Sequence, residues 1–372
     1  MSVSAIVPYY SASASISPYL ALCLSSLLSE GEIVGEIILV VNGPCAPELF
    51  GPPLDCLTIV RSLEPLGYGA AINIGTRHAR NDHLLFCDAD IYSPNPGWVK
   101  HHLEVRQTEP SVGISASKLV NHRTDRVLDF GIGRARHNHF HPGRDLPVHH
   151  PSLRSSRPVQ MACSALMMIE RSLFLSLGGF DEVLRYHYQD LDLCLRIKRE
   201  NRQVWVLGNS VAYHRSASAR LPRSPFKIDE RAYYTTKNAN LMLIDYASYL
   251  RPNLKAYRHH LSSGGPMALI DISTMTEPDE ATDIIREFCD ITIFRRTAPP
   301  ERDLETLTLV DMLDSAALRH DGPLLFLVDR AWSLEFNALW RAARNTSADI
   351  VVDRHANVCL FDELCQSPRR KV

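Results

Sequence analysis

Four short apolar runs near the start of the chain restrict its fold more than any other feature. Val3–Val7 is stopped by Pro8, Glu36–Val41 is broken by Asn42-Gly43-Pro44, and Leu57–Val60 and His83–Cys87 follow. Each run is continuous rather than alternating, the pattern of a strand buried on both faces. Between the first two, Pro18 opens an amphipathic helix with Leu20, Cys23, Leu24, Leu27 and Leu28 on one face. Between the last two, Gly67–Gly75 turns from loop into helix. The order β-α-β-β-α-β predicts the α/β class: a mixed, mainly parallel sheet covered by helices.

The pattern continues with a helix over Pro96–Arg106 and a strand over Val112–Ser117. Residues 119–158 are polar and read as a long loop. Apolar Met161–Ile169, a short helix Arg171–Leu177 ended by Gly178-Gly179, and a helix beginning at Tyr188 come next. Val204–Leu207 and Ser210–His214 read as two short strands, and Glu230–Leu250 as one helix. Arg251-Pro252 is the expected joint between a domain of residues 1–250 and an accessory α/β domain of residues 251–372. The latter is expected to hold strands at Met267–Ile272, Ile291–Phe294, Leu324–Asp329 and Asp349–Val352. Its expected helices are Ala281–Phe288, Leu304–Leu318 and Leu334–Ala343, before a frayed tail Gln366–Val372. A length of 372 residues suits two such units.

Composition removes several classes. A net charge of -2 with 22% charged residues gives no polyanion-binding surface, so no nucleic-acid partner is expected. No basic segment precedes an apolar one at Met1–Pro8, and no run reaches the ~20 apolar residues of a membrane span. The nine cysteines are dispersed without a CxxC pair, as in reduced thiols. A cytoplasmic protein, at most peripheral at the inner face of a membrane, is the expectation.

His83-Leu-Leu-Phe-Cys-Asp-Ala-Asp90 carries the first chemistry. Ligands of open α/β sheets bind beyond the carboxyl ends of strands, where Asp88 and Asp90 fall. Turn formation is the competing role for such a pair. Four further segments accompany it: Gly67–Gly75, Gly-Gly-Phe-Asp181, Gln189-Asp-Leu-Asp-Leu-Cys-Leu-Arg196 and Val211-Ala-Tyr-His214. Together and in this order they resemble the inverting family 2 glycosyltransferases of GT-A fold, particularly a rhamnosyltransferase-like branch, over about residues 3–218.

The resemblance implies a nucleotide diphosphate sugar donor, UDP- or dTDP-linked, and a hydroxyl acceptor such as a glycan, lipid-linked glycan, peptide or metabolite. It places Asp90 and His214 on Mn²⁺ or Mg²⁺, Asp88 on the nucleoside, and Asp190 as the base. A capped strand end is the alternative for His214, and a helix-dipole carboxylate for Asp190. Where the family carries a Glu-Asp pair this chain has Gln189-Asp190, and where it carries an Asp after the second strand this chain has Asn42. Pro8, Tyr9, Gly69 and Asn73 match the donor side, with helix capping an alternative for Asn73. Asp181 and Gln189 match the acceptor or sugar side, with turn formation the alternative for Asp181. Asp192 is expected to pair with Arg196 at i+4 rather than to share a face with Asp190. His137, His139, His141, His149 and His150 read as a polar acceptor-side loop rather than a transition-metal site. Arg134, Arg136, Arg144, Arg154 and Arg157 around it suit an anionic acceptor. Two rivals stay open: a non-catalytic nucleotide-sugar-binding protein and, below it, a sugar nucleotidyltransferase.

Overall fold

The structure is a computed structural model. It describes residues 2–11, 17–45, 55–62, 64–135, 139–215, 229–261, 267–271, 279–295, 324–328, 349–361 and 363. The chain divides into two compact units, residues 1–132 with 151–243, and residues 133–150 with 244–372.

The first unit opens with strand β1 (Val3–Tyr10), helix α1 (Pro18–Leu28), β2 (Val34–Asn42), β3 (Leu57–Ser62), helix α2 (Tyr68–His78), β4 (His83–Cys87) and the two-residue β5 (Ile91–Tyr92). Helix α3 (Lys100–Thr108), β6 (Val112–Asn121) and β7 (Val127–Asp129) follow. The chain then leaves for a hairpin of the second unit, β8 (Gly133–Arg134) and β9 (His139–Phe140). It returns as β10 (Arg157–Val159), β11 (Leu166–Glu170), helices α4 (Arg171–Ser176) and α5 (Gln189–Arg199), β12 (Gln203–His214) and helix α6 (Glu230–Asn238). The sheet runs β10-β12-β6-β11-β4-β1-β2-β3, with β5 paired to β12 and β7 to β6. Strands β4, β1, β2 and β3 are mutually parallel, and β11 is antiparallel to both its neighbours. The expected mixed, mainly parallel α/β sheet is therefore formed.

The apolar runs fill this sheet as their continuity requires. Residues Leu84 to Cys87 and Ile37 to Val41 are all buried. One face takes Leu20, Cys23 and Leu27 of α1, whose N-terminus is capped by Ser17 Oγ accepting the Tyr19 N–H, with Pro18 at the first turn. On the aromatic side Phe86, Phe174 and Phe180 meet with ring centroids 5.1–5.4 Å apart, pairs worth about 0.5–1.5 kcal/mol each beyond their burial.

Four expectations need correction. Residues 119–158 are not one loop: β6 extends to Asn121 and turns back as β7. Val204–Leu207 and Ser210–His214 are one strand, β12, with a register shift between Leu207 and Val211 that keeps both halves paired to β6. The segment expected as one helix over Glu230–Leu250 is two, α6 and α7 (Tyr246–Ala256), because Gln160 intervenes. Its amide donates to the Leu243 carbonyl and accepts the Leu243 N–H, so these backbone groups do not continue a helix. The division between units falls at Leu243–Ile244, and Pro252 lies inside α7 rather than in a joint.

The second unit contains the β8–β9 hairpin, α7, α8 (Arg258–Leu261), α9 (Asp279–Arg286) and strands β13 (Met267–Asp271), β14 (Ile291–Arg295), β15 (Leu324–Val328), β16 (Ile350–Asp353) and β17 (Val358–Leu360). Its sheet runs β14-β13-β15-β16-β17, parallel except for β17. Phe140, Tyr246, Leu250 and Leu254 pack with Leu325, Leu327, Ile350 and Val352. The expected helices Leu304–Leu318 and Leu334–Ala343 and the tail lie outside the described residues. The histidine-rich segment is bound into this unit. The His141 N–H donates to His355 Nδ1, and Asn357 bonds both the Gly143 N–H and the Arg144 carbonyl. His139, His141, His149 and His150 therefore belong to the second unit and not to a loop of the first; His137 and Arg136 lie outside the described residues. Among the described residues no helix is long and apolar enough to cross a membrane.

Candidate active site

Strand β4 stops at Cys87 because the chain turns. The Asp88 N–H donates to Ala165 O on the β11 side at 2.8 Å, and the Ile91 N–H closes back onto Asp88 O at 3.0 Å. That turn throws the carboxylates of Asp88 and Asp90 off the end of the sheet. The chain then runs as β5 antiparallel to the end of β12, with Ile91 opposite His214 and Tyr92 opposite Tyr213, their rings stacked at 5.7 Å. This one register places His214 Nε2 3.3 Å from Asp90 Oδ1 and 3.7 Å from Asp88 Oδ2. One ligating atom from each of the three residues lies within 4.8 Å of the others.

Two carboxylates held together need a positive charge. Burial, opposed by His214 and reinforced by Asp90 and Asp190, pushes the Asp88 carboxyl up to about 7. Burial lowers His214, but the hydrogen bond to Asp90 and the two carboxylates outweigh it, and its imidazole stands above the ordinary value. Asp88 Oδ1 is buried without a hydrogen-bond partner among the described residues. Hard carboxylate oxygens with one imidazole nitrogen suit Mg²⁺ or Mn²⁺. The residues thus fit a divalent cation, and Asp88, matched above to the nucleoside, lies with the metal pair.

Asp190 stands in the first turn of α5. Its Oδ2 accepts the Ser164 N–H at 3.2 Å and its Oδ1 accepts the Leu191 N–H at 2.9 Å. Burial raises its carboxyl, the two amides lower it, and Asp129 raises it further. A partly desolvated carboxylate of raised basicity is suited to receiving a proton. Tyr68, whose hydroxyl donates to Ser164 O at 2.8 Å, feels the charge of both Asp88 and Asp190, and burial holds its phenol well above the ordinary value. The Cys163 thiol is likewise pushed well up by burial and by Asp190, so it is no thiolate nucleophile at neutral pH.

The remaining matched residues separate into two groups. β1 runs through Pro8 to Tyr10 rather than stopping at Pro8, setting Pro8 and Tyr9 beside Val40 and Val41 of β2, and the Tyr9 hydroxyl accepts the Ser17 N–H at 3.2 Å. Asn42, nearly fully buried, spends its Oδ1 on the Leu66 N–H. Gly69 lets α2 approach the Gly-Gly-Phe-Asp turn, since a Cβ there would meet Phe180 Cβ at 2.9 Å. Asn73 is a clamp on that turn: it accepts the Phe180 N–H and donates to Phe180 O, both at 2.9 Å, and to Glu182. Both of its amide N–H groups and one lone pair of its oxygen are engaged in that turn. Asp181 accepts from Lys237 Nζ at 2.6 Å, the Tyr233 hydroxyl and the Val183 N–H. Gln189 is buried, with Oε1 lacking a partner among the described residues. Asp192 pairs with Arg196 at 2.8 Å as expected.

Two charged residues of this unit escaped the sequence reading. Asp129 on β7 accepts the Gly131 N–H, and its charge reaches Asp190, His214 and Cys163. Lys118 on β6 is buried, its amine pushed down to about 8, 5.5 Å from the centre of the Phe130 ring. Arg157 lies 5.0 Å from the same ring. A lysine inside the otherwise apolar and small Val112–Val120 strand was the available signal.

Residues 4–148 match the family model described as glycosyl transferase family 2. The chain is similar to the O-antigen biosynthesis protein RfbC of Myxococcus xanthus, 27% identical over 223 residues, which span 53% of this chain and 16% of that protein. It is also similar to a pre-mycofactocin glycosyltransferase of Mycobacterium tuberculosis, 26% identical over 166 residues, 44% of this chain and 33% of that protein. The chain therefore spans well under half the length of these relatives. Among solved structures it is similar to GalNAc-T7 with UDP, GalNAc and Mn²⁺ (TM-score 0.49, 14% identity, 78% of this chain and 55% of that one). It is similar too to the mannosyltransferase PcManGT of Pyrobaculum calidifontis in complex with GDP-Man and Mn²⁺ (TM-score 0.39, 18% identity, 70% of each chain).

Proposed function

We propose that the chain, whose residues 4–148 match the glycosyl transferase family 2 model, is an inverting, metal-dependent transferase moving a sugar from a nucleotide diphosphate sugar to a hydroxyl acceptor. The observation that carries the reading is the convergence of Asp88, Asp90 and His214 within 4.8 Å at the carboxyl end of the sheet.

In this reading Asp90, His214 and Asp88 hold a divalent cation, which when bound supplies neutralisation of the diphosphate's charge. Asp190 takes the acceptor hydroxyl's proton. The acceptor oxygen forms a bond to the sugar's anomeric carbon from the face opposite the diphosphate. The bond from that carbon to the diphosphate oxygen breaks, and the electron pair leaves with the diphosphate. One displacement inverts the anomeric configuration. The raised carboxyl of Asp190 strengthens it as an acceptor of that proton. Pro8, Tyr9, Asn42 and Gly69 lie toward the nucleotide in this assignment, and UDP and dTDP are the nucleotides favoured. Asn73 and Asp181 act by holding the Gly-Gly-Phe-Asp turn.

The test is Mn²⁺-dependent hydrolysis and binding across a panel of UDP-glucose, UDP-N-acetylglucosamine, dTDP-rhamnose and GDP-mannose. Hydrolysis should be lost in Asp90→Ala and should fall about a hundredfold or more, to a measurable residual rate, in Asp190→Asn, with donor binding kept in the latter. A wild-type protein that neither binds nor hydrolyses any member sinks the proposal. Gln189, which removes a carboxylate next to Asp190, favours a second reading as a non-catalytic nucleotide-sugar binder. Binding without Asp190-dependent turnover would select it.

A further inference from the structure

Helix α6 follows His214 in the chain, and its side chains converge on the segment that ends in Asp190. Glu230 accepts three consecutive backbone N–H groups: Arg185 at 3.1 Å, Tyr186 at 3.2 Å and His187 at 2.8 Å. One turn on, the fully buried Tyr234 stacks on Tyr188, with centroids 4.9 Å apart and planes at 13°. Tyr188 is the residue before α5, in left-handed backbone at φ 69°, and no side chain caps the helix there. A non-glycine residue keeps that conformation only where its surroundings enforce it. Another turn on, Lys237 Nζ bridges Asp181 at 2.6 Å and Asp192 at 2.9 Å, and Asn238 donates to Asp192 at 2.9 Å. Glu230, Tyr234, Lys237 and Asn238 follow helical spacing and share one face. Their partners bracket Asp190 on both sides, whereas among the described residues the Asp190 carboxylate itself takes backbone amides, those of Ser164 and Leu191.

We infer that α6 is the positioning element for proton transfer, with Glu230 and Tyr234 as positioning residues that set where the Asp190 carboxylate stands. This rests on the reading of Asp190 as base. Glu230 fixes the loop that enters α5, and the Tyr234 ring holds the strained residue from which α5 starts. Misplacing a proton acceptor by a fraction of an ångström slows the chemical step without weakening donor capture.

The experiment compares Glu230→Ala, Tyr234→Leu and Tyr234→Phe, each alone and combined with Asp190→Asn, in the full chain. The readout is Mn²⁺-dependent hydrolysis of whichever panel nucleotide sugar the wild type binds, with thermal melting followed in parallel. Glu230→Ala and Tyr234→Leu should lower kcat about tenfold, leave the donor KM within about twofold, and cost nothing further on top of Asp190→Asn. Tyr234→Phe, which keeps the ring, should retain the wild-type rate. If Glu230→Ala does not fold, the Tyr234→Leu and Tyr234→Phe pair carries the same comparison. Equal losses with and without the Asp190 carboxylate, an unchanged kcat, or a loss confined to KM would overturn the inference. A wild-type rate in Asp190→Asn alone is a different result, which removes the base reading itself.

Discussion

Lowering the pH from 8 to 6 should weaken Mn²⁺ binding by at least about tenfold. The cation binds the carboxylate of Asp88 and the neutral imidazole of His214, so protons compete with it. With the Asp88 carboxyl near 7, roughly a tenth of it is protonated at pH 8 and roughly nine-tenths at pH 6. Displacing that proton alone lowers the apparent affinity about tenfold across the interval. His214 stands above its ordinary value, and its protonation acts in the same direction. The sign follows from the geometry: both residues offer atoms within 4.8 Å of Asp90's, so a proton on either occupies a ligand position. Isothermal titration with MnCl₂ at pH 6, 7 and 8 measures the slope, and an Asp88→Asn variant should bind more weakly and with a shallower slope. Affinity that is flat over this range, or that rises toward pH 6, would refute the assignment of Asp88 and His214 to the cation.

Other perturbations test separate parts of the structure. Asp192→Ala removes a fully buried carboxylate that meets Arg196, Lys237 and Asn238, and should cost about 3–5 kcal/mol in urea denaturation; a loss below about 1 kcal/mol would show that the cluster contributes little. Gly69→Ala sets a Cβ 2.9 Å from Phe180 Cβ and should cost about 1–3 kcal/mol by overpacking, read as a lower melting temperature. Gln189→Glu adds a buried carboxyl beside Asp190, which should raise the apparent basicity of Asp190 and move the acid limb of the pH–rate profile upward. A limb left in place would mean that the two side chains do not interact.

Local chemistry in the chain determined a good deal by itself. Continuous apolar runs specified the buried strands β1, β2 and β4, because only a strand covered on both faces can hide every side chain of such a run. Pro18 behind Ser17 specified where α1 starts, and the i+4 spacing specified the Asp192–Arg196 pair. Asp88 and Asp90 were legible as strand-end carboxylates from position alone. What lay beyond local reach was partnership. Nothing near Glu230–Leu250 announces that the amide of Gln160 will take both backbone groups of Leu243 and divide the helix. The histidine-rich stretch reads as an acceptor-side loop until His355 and Asn357 are seen holding the backbone of His141, Gly143 and Arg144 within the second unit. Asn73 and Asp181 carry donor- and acceptor-like chemistry, and the chain does not announce that Phe180, Lys237 and Tyr233 will also bond to them. The cation site itself is the clearest case. Its residue types can be read from the chain, but the antiparallel register of Ile91 with His214 puts the imidazole against Asp90. Burial and charge density at one point, which lift Asp88 to about 7, exist only once that register has closed.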